Sequence, residues 1–126
     1  MELNDETQLT ENFKYGEFFC DGIQLPDEYY PNILALAKEL QKLRDYYKKP
    51  IIINSGWRTE EHNKEVGGAK NSMHLKGLAA DVRPPYGVNV KEFYVKAREL
   101  TNFKGYGIGQ NFLHCDLRSK LTIWYY

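Results

Sequence analysis

The sequence predicts an α+β fold: a small antiparallel sheet, helices packed mainly on one side, and a polar site on the open face. Three observations carry this. Ile33, Leu34, Ala37, Leu40 and Leu43 recur at helical spacing early in the chain. Gly105 to Leu117 reads as a strand pair around a Gln110-Asn111 turn. Between them lie Ile51 to Ser55 and Leu78 to Val82, short runs of β-branched or small residues that suit strands. With 126 residues, 42% of them hydrophobic and 27% charged, the chain fits one domain with one core over residues 1–126.

Residues 1–11 are polar and aperiodic and predict a loose N-terminal arm. The aromatic run Asn12 to Cys20 ends at Asp21-Gly22, a turn signal. Pro26, followed by Asp27 and Glu28, reads as a helix start, because proline lacks the N–H that the first turn leaves unpaired and acids favour the positive end of the helix dipole. This helix is predicted to run to about Tyr47 and stop before Lys49-Pro50. A second, short helix begins at Thr59, a capping residue followed by Glu60 and Glu61, and ends at Gly67-Gly68. Ala69 to Gly77 forms a loop carrying His74. A third helix covers Val90 to about Thr101, with Phe93, Val95 or Ala97, and Leu100 facing inward. The tail, Leu121 to Tyr126, is apolar and has to pack somewhere.

Composition narrows the function classes. Lys plus Arg equals Asp plus Glu, 17 each, so no overall field favours nucleic acid. No run of 18 or more apolar residues is present, so no membrane span is predicted. Two cysteines, Cys20 and Cys115, exclude a four-cysteine metal site. They are expected to be unjoined, with neither binding the metal considered next.

His74, Asp81 and His114 are the candidate metal ligands. Two imidazoles and a carboxylate can hold zinc on three sides and leave the fourth position open, which distinguishes a catalytic zinc site from a structural one. Residues two apart in a strand share a face, so His114 and Asp116 point the same way. Asp81 lies among small residues that allow close approach, and Gly77 permits the turn that brings His74 back over it. His62 reads as an exposed or capping helix residue and not as a ligand.

The run Ser72-x-His74-x-x-Gly77-x-Ala79-x-Asp81 resembles the signature of zinc D-alanyl-D-alanine carboxypeptidase-like peptidases. Pro50-Ile-Ile-Ile-Asn-Ser-Gly-Trp-Arg58, Val66-Gly-Gly-Ala-Lys-Asn-Ser72 and Leu113-His-Cys-Asp116 resemble the small single-domain branch of that family, in the expected order. The likeness covers roughly residues 12–118. It implies zinc as cofactor, held by His74, Asp81 and His114, and hydrolysis of amide bonds in peptidoglycan stem peptides or cross-links. It implies that Arg58 meets a substrate carboxylate or carbonyl. The N-terminus shows no signal peptide. Either the chain is made without an export signal, in the cytoplasm with action at the cell wall by phage-type release, or an upstream piece is missing and its location stays open; a monomer acting on a peptidoglycan peptide is expected.

Three positions depart from the family pattern. Asn111 stands where relatives carry a catalytic glutamate, Phe112 where histidine is frequent, and Trp57 where tyrosine is usual. Asp116 is then the candidate general base, or the carboxylate that orients His114. The alternative is a catalytically silent zinc-bearing module that binds peptidoglycan or serves as a structural part of a phage particle.

Overall fold

The structure is a computed structural model and describes residues 2–126. Its longest helix, α1, spans Tyr30–Tyr47 and buries Ile33, Leu36, Ala37, Leu40 and Leu43. The apolar stripe is thus core, as the spacing requires. The start differs from the sequence expectation. Pro26 caps a separate 3-10 turn, Asp27–Tyr29, and Pro31 lies in the first turn of α1. Lys48 ends the helix in the left-handed conformation, its N–H bonded to Arg44 O.

The other elements follow the predicted order. Strand β1 covers Ile52–Ser55, α2 Glu60–Glu65, β2 Ala79–Arg83 and α3 Val90–Leu100. Strands β3, Gly105–Ile108, and β4, Leu113–Asp116, form the expected hairpin. In α3 the buried residues are Val90, Phe93 and Ala97. Val95 and Leu100 are exposed, so neither faces inward as the spacing predicts; Leu100 ends the helix, beyond the turns that pack on the core.

A fifth strand, β5, spans Thr122–Tyr125 and completes a sheet of order β1-β2-β4-β3-β5. The sheet is therefore mixed rather than wholly antiparallel. Strands β1, β2, β4 and β3 pair antiparallel, while β5 runs parallel to β3. The reason is topological. The tail leaves β4, passes around β3 and covers its free edge, so it travels in the direction of β3. An uncovered β3 edge would leave a row of backbone groups unpaired.

Alternation divides the sheet into two faces. Ala80, Val82, Tyr106, Ile108, Leu113 and Cys115 point to one side and join the buried cluster with Leu36, Leu40 and Phe93. Tyr94 of α3 meets Tyr106 edge-on at 5.3 Å. The opposite face carries Asp81, His114 and Asp116. Residues 2–11, whose polarity suggests a loose arm, are tied to this body: Gln8 bridges Lys14, Tyr15 N–H donates to Thr7 O, and Leu9 is buried. No helix is long and apolar enough to cross a membrane among the described residues.

Candidate metal centre

The register of β2 against β4 sets Asp81 opposite His114 and Ala79 opposite Asp116. His74 reaches the same place from a 3-10 turn, Met73–Lys76. Ser72 caps that turn by accepting from His74 N–H at 3.2 Å. Gly77 closes it at φ 71°, a left-handed conformation that costs glycine little and an L side chain more. Arg58 N–H donates to His74 O at 3.0 Å. Trp57, standing where tyrosine is usual in the family it resembles, donates its Nε1–H to Leu75 O at 3.1 Å and steadies the same turn.

The three candidate ligands converge. His74 Nε2 lies 3.2 Å from Asp81 Oδ1, and His114 Nδ1 lies 3.0 Å from the same oxygen. All three side chains are buried. The other nitrogen of each ring fixes its tautomer. His74 Nδ1 is 2.7 Å from Gly56 O, which only accepts, so Nδ1 carries the hydrogen. His114 Nε2 is 2.7 Å from Asp116 Oδ2 and donates likewise. In those tautomers a neutral ring would turn a nitrogen lone pair, on His74 Nε2 and on His114 Nδ1, toward the Asp81 oxygen. A metal ion satisfies that arrangement, as does a second proton on each ring. His74, Asp81 and His114 thus form a group able to hold a metal ion.

The same contacts govern the electrostatics of the site. Burial pushes the Asp81 carboxyl up, but hydrogen bonds from His114 and His74 outweigh it and hold the group well below the usual carboxylate range. Burial alone would lower His114; its hydrogen bonds to Asp116 and Asp81 raise it above 6.5.

Behind the ligands stands a ring of supporting contacts. Asp116 is fully buried, and both its oxygens are engaged. Oδ2 meets His114 Nε2 and Arg118 Nη2, the latter at 2.7 Å, while Oδ1 accepts from Arg118 Nε at 2.8 Å and Arg118 N–H at 3.1 Å. Gly105 sits opposite, and any side chain there would run into this carboxylate. Arg58 lies on the far side of Asp81, donating to Asp81 Oδ2, Asn63 Oδ1 and Ser55 Oγ, each at 3.2 Å.

A cavity of about 670 Å³ opens over the centre. Its floor is Arg58, His74, Asp81 and His114, one wall is the Val66–Met73 loop, and the other is Phe112, Arg118, Trp124 and Tyr126. Trp124 packs on the His114 ring at 5.0 Å between centroids, and Arg118 lies 5.0 Å over Trp124. Arg118 and Trp124 escaped the sequence reading as site residues. The available signals were the two-residue spacing of Arg118 from Asp116 and the alternation Thr122, Trp124, Tyr126 in the tail. Asn111 and Gln110 line a different cavity, together with Pro84 and Tyr86.

A family profile described as Peptidase M15 matches residues 11–116. Among curated proteins, the zinc D-Ala-D-Ala carboxypeptidase of Streptomyces albus G is 34% identical over 88 residues. That alignment covers 64% of this chain and 34% of the relative, so the chain matches about a third of that protein's length.

Proposed function

The chain belongs to the peptidase M15 family, and from that premise we propose that it is a zinc metallopeptidase hydrolysing amide bonds in peptidoglycan peptides that contain D-amino acids. The observation that carries this reading is the convergence of His74, Asp81 and His114 on one point of the cavity floor. The name of the Streptomyces relative supports both the metal and the peptide class.

His74 Nε2, His114 Nδ1 and an Asp81 oxygen would hold the ion. When bound, zinc supplies a Lewis acid that polarises a carbonyl and brings the pKa of a coordinated water to about 7. Side chains of this protein do the remaining work. Gly56 O and Asp116 hold the two imidazoles in the tautomers that free those lone pairs. Asp116 serves as the orienting carboxylate rather than the base, since it lies behind His114 with both oxygens occupied. Arg58 fixes the second oxygen of Asp81 and has N–H groups left over for a substrate carboxylate or carbonyl. Asp81 is the one carboxylate among the residues that line the cavity. No second carboxylate would therefore stand in the cavity as a fixed base for a zinc-bound water.

That last point also favours a second reading, a zinc-bearing module without turnover. Digesting purified peptidoglycan with the zinc-loaded protein and weighing the fragments separates the two. Loss of single D-alanine residues identifies a carboxypeptidase; cut stems or cross-links identify an endopeptidase. Intact polymer throughout leaves the silent module.

A further inference from the structure

A second set of metal-binding side chains meets outside the cavity. Cys20, Asp21 and His62 bring a thiol sulfur, a carboxylate oxygen and a ring nitrogen within 4.8 Å of one another. We propose that this is a structural zinc site that fastens the Cys20 turn to α2.

The turn is built before any ligand arrives. Cys20 N–H donates to Ile23 O at 3.2 Å, and Ile23 N–H donates to Cys20 O at 2.8 Å. Asp21 at φ 49° and Gly22 at φ 78° occupy the two central positions, both left-handed, as in a type I′ turn. Cys20 is buried beneath it, 6% exposed, while Asp21 reaches outward. His62 faces the turn from α2, whose first residues are fixed by the Thr59 cap.

The spacings are those of ligands around a shared ion. His62 Nδ1 lies 3.8 Å from Asp21 Oδ2 and 3.9 Å from Glu65 Oε2. Hydrogen bonds from nitrogen to oxygen run at about 2.7–3.2 Å, so these groups are too far apart to bond one another. Bonds of about 2.0–2.3 Å in a tetrahedron place neighbouring ligand atoms roughly 3.3–3.8 Å apart, close to the distances here. A thiol, an imidazole and a carboxylate are a borderline-soft donor set that favours zinc over magnesium or calcium. The thiol gives its proton to solvent and binds as thiolate. These three side chains would hold the ion, with solvent in the fourth position.

Such an ion would stiffen the wall of the cavity. Asn63, next to His62, accepts from Arg58 Nη1 at 3.2 Å and donates to Ala69 O at 2.9 Å. Anchoring α2 therefore anchors Arg58 and the start of the Val66–Met73 loop.

Cobalt is the probe, because a cobalt–thiolate bond gives a near-ultraviolet charge-transfer band that histidine and carboxylate ligands do not. Titrating the metal-stripped full chain should load two cobalt ions per chain and produce the band. Cys20→Ser should lose the band and one ion, and His62→Ala should do the same without disturbing a buried residue. Cys115→Ser should keep both. His74→Ala should lose one ion but keep the band, which separates this site from the metal centre in the cavity. Absence of the band in the wild type, or its survival in Cys20→Ser or His62→Ala, overturns the proposal. An intact band with no hydrolysis would count against the peptidase reading alone.

Discussion

Asp116 Oδ2 lies 2.7 Å from His114 Nε2, and this one contact decides which nitrogen of His114 is free. Supporting carboxylates of this kind are worth about 10–100-fold in metal affinity. Asp116→Asn is expected to weaken zinc binding by that factor, while activity per bound zinc falls much less. Zinc affinity and hydrolysis measured on the same preparations check this. A drop of about 10²–10⁴-fold in activity per bound zinc, with affinity unchanged, would identify Asp116 as the general base instead.

Arg58 touches Asp81, so its removal reaches the metal centre as well as the substrate. Arg58→Ala leaves Asn63 Oδ1 without its guanidinium partner and Asp81 without its ion pair. The expected cost is about 1–3 kcal/mol in stability, seen as a lower urea midpoint. Hydrolysis should fall by about 10²–10³-fold, most for substrates with a free carboxylate near the cut. Arg58→Lys cannot span Ser55, Asn63 and Asp81 together and should recover little. Full activity in Arg58→Lys would show that charge alone suffices.

Glu39 provides a pH test away from the metal. Burial raises its carboxyl, but hydrogen bonds from Lys42 and the backbone N–H of Asn102 outweigh burial and lower it below 4.5. A depressed folded pKa contributes stability above the unfolded value, lost as pH falls through the folded one. Glu39→Gln should therefore cost about 1 kcal/mol at pH 7. The gap to wild type should narrow as the pH is lowered through 4.5. Urea titrations across that range measure it, and a gap independent of pH would remove the charge from the account.

Cys20 and Cys115 are both free and buried. Burial pushes the Cys115 thiol up, so it should react slowly in the folded protein. Unfolded with chelator and no reductant, the chain should yield two titratable thiols. A yield of none would mean a disulfide and an oxidising compartment.

Much of the centre was legible because its signals are local. The two-residue period of a strand put His114 and Asp116 on one face, and Gly77 announced the turn that returns His74. The stripe from Ile33 to Leu43 gave α1 for the same reason. What escaped was set by contacts distant in sequence. In β5 Thr122, Ile123 and Tyr125 are exposed, so no burial alternation marked it as a strand. Its parallel seat beside β3, and with it the place of Trp124 over His114, follows from the path around the hairpin. Arg58 reads from the sequence as a substrate group or as part of a structural ion pair, and its partners Asn63 and Asp81 could not be named because they come from other segments. Pro26 misled the start of α1 because proline suits the first turn of a 3-10 helix as well.

The central claim is that one metal ion, held by His74, Asp81 and His114, performs the hydrolysis. The most direct measurement follows cleavage of purified peptidoglycan while zinc is titrated into metal-free Cys20→Ser protein, where the second site is removed. The account predicts that fragments appear in proportion to zinc bound, level off at one ion per chain, and vanish in His74→Ala and His114→Ala on the same background. One zinc bound per chain with no fragments released would contradict it.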